Sequence, residues 1–154
     1  MIIERLGLAT LAGSAIGLNR KIHGKPVGIR THSLVALGSA TFVYVSYGVA
    51  GPFNGAPVPQ TVQGIVTGIG FVGAGVILHR SGSKNRITGL TTASALWFTA
   101  ALGVACGAGL FVPAIVATII ALIVLVIGGP IEGYVEDHVR PKPPKPPPPP
   151  PLVE

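Results

Sequence analysis

Histidines, hydroxyls and arginines are the side chains here that could bind or transform something, and their spacing is not that of a catalyst. His23, His32 and His79 have no companion acid, because no Asp or Glu occurs between Glu4 and Glu132. Metal-ligating histidines usually come with a carboxylate or another acceptor that fixes the ring. The same gap removes the oxygen ligands of a Mg²⁺ path and the relay of a proton path. No nucleophile–base pair, phosphate loop or zinc helix is present, so neither catalytic residues nor a cofactor is expected. Gly68-x-Gly70-x-x-Gly73 matches a dinucleotide fingerprint, but that motif needs a preceding strand and an acid about 20 residues on. A lone Cys106 excludes an internal disulfide and reads as a small packing residue near a helix end.

Two groupings remain. Gly89, Thr91, Thr92 and Ser94 crowd the first turns of an apolar segment, where unpaired N–H groups and hydroxyls can hold an ion. Helix capping and helix–helix hydrogen bonding explain the same residues. The runs 19–30 (Arg20, Lys21, Lys25, Arg30) and 79–88 (Arg80, Lys84, Arg86) could hold an anionic ligand or partner. Membrane topology and contact with anionic lipid are the simpler explanation of the same cations.

The elements that would position these groups are membrane helices. The 154 residues include 10 % charged residues and 22 Gly at a mean hydropathy of +0.65. Soluble domains carry about 25 % charge, so this chain is read as an all-α membrane protein. About five transmembrane helices are expected, at 2–18, 31–50, 62–78, 89–106 and 110–127, forming a domain over 1–128. Gly128-Gly129-Pro130 is expected to stop the last one. A short interfacial segment at 129–140 follows, then a disordered Pro-rich tail at 141–154 that acts as a spacer or recruits a partner. The first span is short on its apolar side, so Arg5 is expected at the membrane lip, snorkelling or facing the bundle. Thr31 is the expected N-cap of the second. The start MIIER carries no evident secretory leader.

Of 11 Lys and Arg, all but Arg5 fall in 19–30, 79–88 and 140–145. The positive-inside rule then puts the N-terminus outside and the tail in the cytoplasm. Basic residues beside apolar spans do not suggest nucleic acid. Gly64, Gly68, Gly70, Gly73 and Gly75 thin the third span, which is expected to be the hub onto which other helices pack. Ala93, Ala100, Gly103 and Gly107 continue a small-residue stripe that could face it.

The segments GLNR at 17–20, GIRTHSLVALGSA at 28–40, GIGFVGAGVIL at 68–78 and GLTTASALWFTAALG at 89–103 resemble the MgtC/SapB family of bacterial inner-membrane proteins. The resemblance covers about residues 5 to 128. It implies a five-span bundle with an outside N-terminus and a regulatory, non-enzymatic role in adaptation to magnesium limitation and in virulence. It also implies protein partners such as ATP synthase or a cation-transport ATPase, beside the lipid bilayer and further copies of the chain. The positions it singles out are Arg20, Gly28, Arg30, Thr31, Gly68, Gly70, Phe71, Gly73, Gly75, Gly89, Leu90, Thr91, Thr92 and Trp97. The sequence departs from the family pattern at Asn19, where Glu is usual. It also reads Pro57-Val58-Pro59-Gln60 in place of Asp-Pro-x-Arg, and no ACT-like domain follows the last span. A small transporter using Thr91, Thr92, Ser94 and Arg30, and a docking module using the tail, are the rival readings.

Overall fold

The computed structural model describes residues 2–50, 57–79 and 89–139, which form five helices with no strand among them. They are α1 (Ile2–Ile22), α2 (Ile29–Ala50), α3 (Pro57–His79), α4 (Leu90–Gly107) and α5 (Phe111–Val139). The Pro-rich tail and the cations Arg80, Lys84 and Arg86 lie outside the described residues, as does the side chain of His79.

The turns follow from glycine placement. Gly24 takes a φ of +65° and Gly109 a φ of +82°, the left-handed conformation that a Cβ would resist. After α1, Gly24 N donates to Lys21 O and Lys25 N to Arg20 O. After α4, Gly109 N donates to Cys106 O and Leu110 N to Ala105 O. Both are Schellman ends, which satisfy the last carbonyls of a helix and reverse the chain.

Three helices pass the length and apolarity needed to cross a bilayer: Val58–Leu78, Leu90–Gly107 and Phe111–Val135. α1 and α2 are as long, at 21 and 22 residues, but more polar. Much of that polarity is answered inside each helix, since Thr10 donates to Leu6 O, Ser33 to Ile29 O and Thr41 to Leu37 O. Such back-bonding lets a hydroxyl sit at membrane depth without an unmet donor.

Several expected boundaries move. α1 runs on through Asn19, Arg20 and Lys21, so the first basic stretch is helical for its first residues. α2 starts at Ile29, which makes Thr31 an exposed residue of its first turn rather than its cap. α3 takes in Pro57-Val58-Pro59-Gln60, because proline in a first turn loses an N–H that has no helical partner anyway. Gly128-Gly129-Pro130 does not stop α5, which continues to Val139 with Pro130 inside it. The 129–139 stretch is therefore an extension of α5 and not a separate helix. Pro130 removes one backbone bond, while the ladder on either side carries the helix across.

The largest correction concerns the hub. α4, not α3, packs against all four other helices. Among the described residues, Cβ atoms built on Gly64, Gly68, Gly70 and Gly75 would meet nothing within 4 Å, and of the five only Gly73 faces a neighbour, Ala93. The close approaches lie elsewhere. A Cβ on Gly13 would come to 2.6 Å from His32 O and one on Gly17 to 2.6 Å from Ile29 Cα. On α4, a Cβ on Gly103 would clash with Ala36 O, and one on Gly107 would sit 2.6 Å from Ala40 O. Three small-xxx-small pairs (Gly13/Gly17, Ala36/Ala40 and Gly103/Gly107) thus seat α2 against α1 on one side and α4 on the other. Ala9, Ile16, Ala36, Ala40 and Cys106 are fully buried along this seam.

Candidate functional site

The register of these contacts sets where the polar groups meet. Residues 36 and 40 of α2 pair with 103 and 107 of α4, so α2 and α4 run parallel. Residues 13 and 17 of α1 pair with 32–36 and 28–29, so α1 runs antiparallel to both. The C-terminus of α1 and the N-termini of α2 and α4 consequently share one end of the bundle.

Arg20 sits at that end, 4 % exposed, in the last turn of α1. Its Nη2 donates to Thr92 Oγ1 at 2.9 Å, and Thr92 is itself buried. α4 opens on Gly89 at a φ of +95°, an N-cap residue that offers no side chain of its own to the first N–H groups. His32 is fully buried one turn further in, with Nδ1 at 3.0 Å from Gly28 O. A carbonyl only accepts, so Nδ1 carries the proton and Nε2 presents a bare lone pair. That Nε2 is buried with no hydrogen-bond partner.

The opposite end has its own cation. Arg5 Nη1 donates to Gly107 O at 2.8 Å, its guanidinium lies against Gly109, and it stands 5.8 Å over the ring of Tyr44. A cation on the last carbonyls of α4 complements the negative end of that helix dipole. Arg5 to Arg20 and Thr92 to Gly107 are equal steps along antiparallel helices, about 22 Å of rise each. α1 is therefore pinned to α4 at both ends, across about three-quarters of the roughly 30 Å hydrocarbon core.

The residues singled out from sequence divide accordingly. Arg20 and Thr92 come together; Gly89 is the left-handed residue that begins their helix. Arg30 and Thr31 are exposed on the first turn of α2, beside this site but not in it. Phe71 is 84 % exposed and Trp97 is half-exposed, both on surfaces that no other helix covers. Thr91 and Ser94 line an apolar groove of about 410 Å³ between α4 and α5, with Ser94 Oγ spent on Leu90 O. Gly68-x-Gly70-x-x-Gly73 lies mid-helix in α3, where a dinucleotide turn cannot form. His23 is exposed at the end of α1 and separated from His32 by burial. Among the described residues no three His, Cys, Asp or Glu side chains cluster. Arg5, expected to snorkel or to face the bundle, lies against the end of α4, while Gly13, Gly17, Ala36 and Ala40 are missing from the residues singled out although their small-xxx-small spacing is visible in the chain.

A family model, that of the MgtC family, matches residues 6–134. The chain belongs to the MgtC family. It is 46 % identical over 122 residues to Protein SrpB of Synechococcus elongatus, covering 74 % of this chain and 67 % of that one. It is 45 % identical over 114 residues to "Putative magnesium transporter YhiD" of Escherichia coli K12, covering 71 % and 52 %. Protein MgtC of Brucella abortus is 46 % identical over 110 residues, covering 71 % and 44 %. The chain thus spans about half the length of the last two relatives. No solved structure matches it. Family membership and three bilayer-length apolar helices make this MgtC-family chain an integral membrane protein.

Proposed function

We propose that this MgtC-family protein is a regulator of magnesium-limitation adaptation that acts by contact with other membrane proteins. The partners are further copies of itself and an energy-coupling complex such as ATP synthase or a cation-transport ATPase. The observation that carries this reading is the bare face of α3. Gly64, Gly68, Phe71 and Gly75 share one side of that helix at helical spacing, and among the described residues a Cβ on any of the three glycines meets nothing within 4 Å, with Gly64 and Gly68 edging an open groove of about 560 Å³ toward α2. Each Gly costs a helix up to about 1 kcal/mol against Ala, an expense that close approach of another helix offsets. Among the described residues of one copy, Gly64, Gly68 and Gly75 have no such use. α1 and α2 complete the five spans, with the basic end toward the cytoplasm and the N-terminus outside. A role in virulence rests on the family alone.

The test is crosslinking from magnesium-starved membranes, using single cysteines at Gly68 and Gly75 in a Cys106→Ala background. Self-crosslinks together with recovered ATP synthase subunits support the reading. Absence of both, with magnesium-limited growth unchanged by Gly68→Leu, removes it.

The name of the Escherichia coli relative favours a second reading, transport of magnesium. Mg²⁺ demands near-octahedral oxygen ligands and keeps its waters. The hydroxyls on the α4–α5 groove stand on an apolar wall, which speaks for the regulatory reading. Magnesium flux into liposomes carrying the purified chain, abolished by Thr91→Val with Ser94→Ala, would decide for transport.

A further inference from the structure

We propose that the groove between α4 and α5 holds one acyl chain of an anionic phospholipid, drawn from the leaflet at the basic end of the bundle. α4 supplies one wall from Thr91 to Phe98, α5 the other from Ala117 to Leu125, and Ile16 of α1 closes the floor. The turn at Gly109 folds α5 back along α4, which sets Leu125 toward Thr91 and Ala117 toward Phe98. The groove therefore runs about 12 Å inward from the basic end, close to the roughly 15 Å that one leaflet adds to the hydrocarbon core. Its volume of about 410 Å³ over that length leaves a cross-section of about 35 Å². A helix about 10 Å across needs about 80 Å², whereas a methylene chain at carbon–carbon contact distance needs about 20 Å². The space is too thin for a helix and wide enough for a lipid tail.

Water is a poor occupant of the same space. Apart from the Thr91 and Ser94 hydroxyls near the basic end, the lining side chains are hydrocarbon, and Ser94 Oγ already donates to Leu90 O. An enclosed water needs two to four polar partners, which such a lining does not offer. An empty groove would forfeit carbon contacts along both walls. In a bilayer the filler always at hand is a lipid tail. Small side chains at Ala95, Ala117 and Ala121 leave it room to lie against α1, α4 and α5 together, while the outer face of α5 offers contact on one side alone. Charge then selects the headgroup. Among the described side chains at that end, Lys21, Lys25 and Arg30 are exposed on and after α1 and at the start of α2, and Glu132 is exposed two turns past Leu125 on α5. A surplus of cations at a membrane surface attracts anionic headgroups.

The full chain is placed in phosphatidylcholine nanodiscs that contain a small fraction of phosphatidylglycerol with a photoreactive diazirine midway along one acyl chain. After irradiation, mass spectrometry locates the adducts. They should concentrate on Phe98, Ala121 and Leu125 over the exposed outward residues Ile119, Ile123 and Val126. The same label on phosphatidylcholine should give at least about fivefold fewer groove adducts, the pull of one cation at a lipid surface. Ala121→Phe fills the groove and should abolish those adducts, whereas Ile123→Phe, on the outer face, should leave them. Lys21→Gln, Lys25→Gln and Arg30→Gln together should bring the two lipids to parity while the chain stays in the groove. Adducts spread evenly over groove and outward residues overturn the proposal, as does equal capture of both lipids by the unmodified chain, and neither result depends on a variant folding. Groove residues left unlabelled while outward ones are labelled would mean that protein covers the groove, which overturns it too. Undiminished groove adducts in a folded Ala121→Phe chain do the same, and a preference unmoved by the triple variant overturns the choice of headgroup.

Discussion

Replacing Gly103 and Gly68 by alanine, one at a time, makes identical chemical changes with opposite expected results. A methyl on Gly103 would clash with Ala36 O and lie 2.7 Å from Ser39 Cβ and 3.0 Å from Ala36 C. All three are backbone or Cβ atoms, so none can swing aside, and α2 and α4 must part by several tenths of an ångström. Overpacking of this kind costs about 2–3 kcal/mol. The gain in helix propensity from Gly to Ala returns up to about 1 kcal/mol, leaving a net loss of about 1–2 kcal/mol. That is roughly a tenfold shift in the folded-to-unfolded ratio. A methyl on Gly68 meets nothing within 4 Å, so monomer stability should hold or rise by up to about 1 kcal/mol. Unfolding in mixed micelles, followed by helical circular dichroism at a protein concentration low enough to keep the chain monomeric, separates the two. Equal stability of both variants, or a greater loss for Gly68→Ala, would refute α4 as the packing hub and restore that part to α3.

Other substitutions probe the two arginine clamps and the turns. Arg5→Gln should lower stability by about 1.5–3 kcal/mol, the range for a hydrogen bond to a charged group, by the same unfolding assay. Thr92→Val removes the Arg20 acceptor while keeping the side-chain shape. It should cost a similar amount, with little change in oligomeric state on size exclusion. Gly109→Ala forces an alanine into a φ of +82° and should cost about 1–2 kcal/mol, whereas Gly128→Ala, with open space around it, should cost nothing measurable. Pro130→Ala restores one backbone bond in α5 and should leave the fold unchanged while raising helicity slightly near the end of that helix.

Much of this protein could be read from its residues in order. The membrane class follows from sparse charge and long apolar runs, the five helices from those runs, and the chain reversals from Gly24 and Gly109. These are local properties, decided by a residue and its near neighbours in sequence. The hydroxyl-rich opening of α4 and the cation at 20 were likewise visible as candidates. Their meeting was not, because Arg20 and Thr92 are 72 positions apart.

What the tertiary structure alone decided is which small residues touch. Glycine stripes occur on α1, α3 and α4 alike, and by spacing the α3 stripe is the densest. Helix association in lipid depends on two surfaces matching at short range, and one helix does not encode its partner. The register of α2 between α1 and α4 used Gly13, Gly17, Gly103 and Gly107, while among the described residues Cβ atoms on Gly64, Gly68, Gly70 and Gly75 of α3 would meet nothing within 4 Å. That same register drew Arg20 and His32 into the interior, a burial that the order of residues in 19–32 does not show by itself. Sequence settled what each segment would become; the packing of three helices against one another settled which polar atoms would be shut in together.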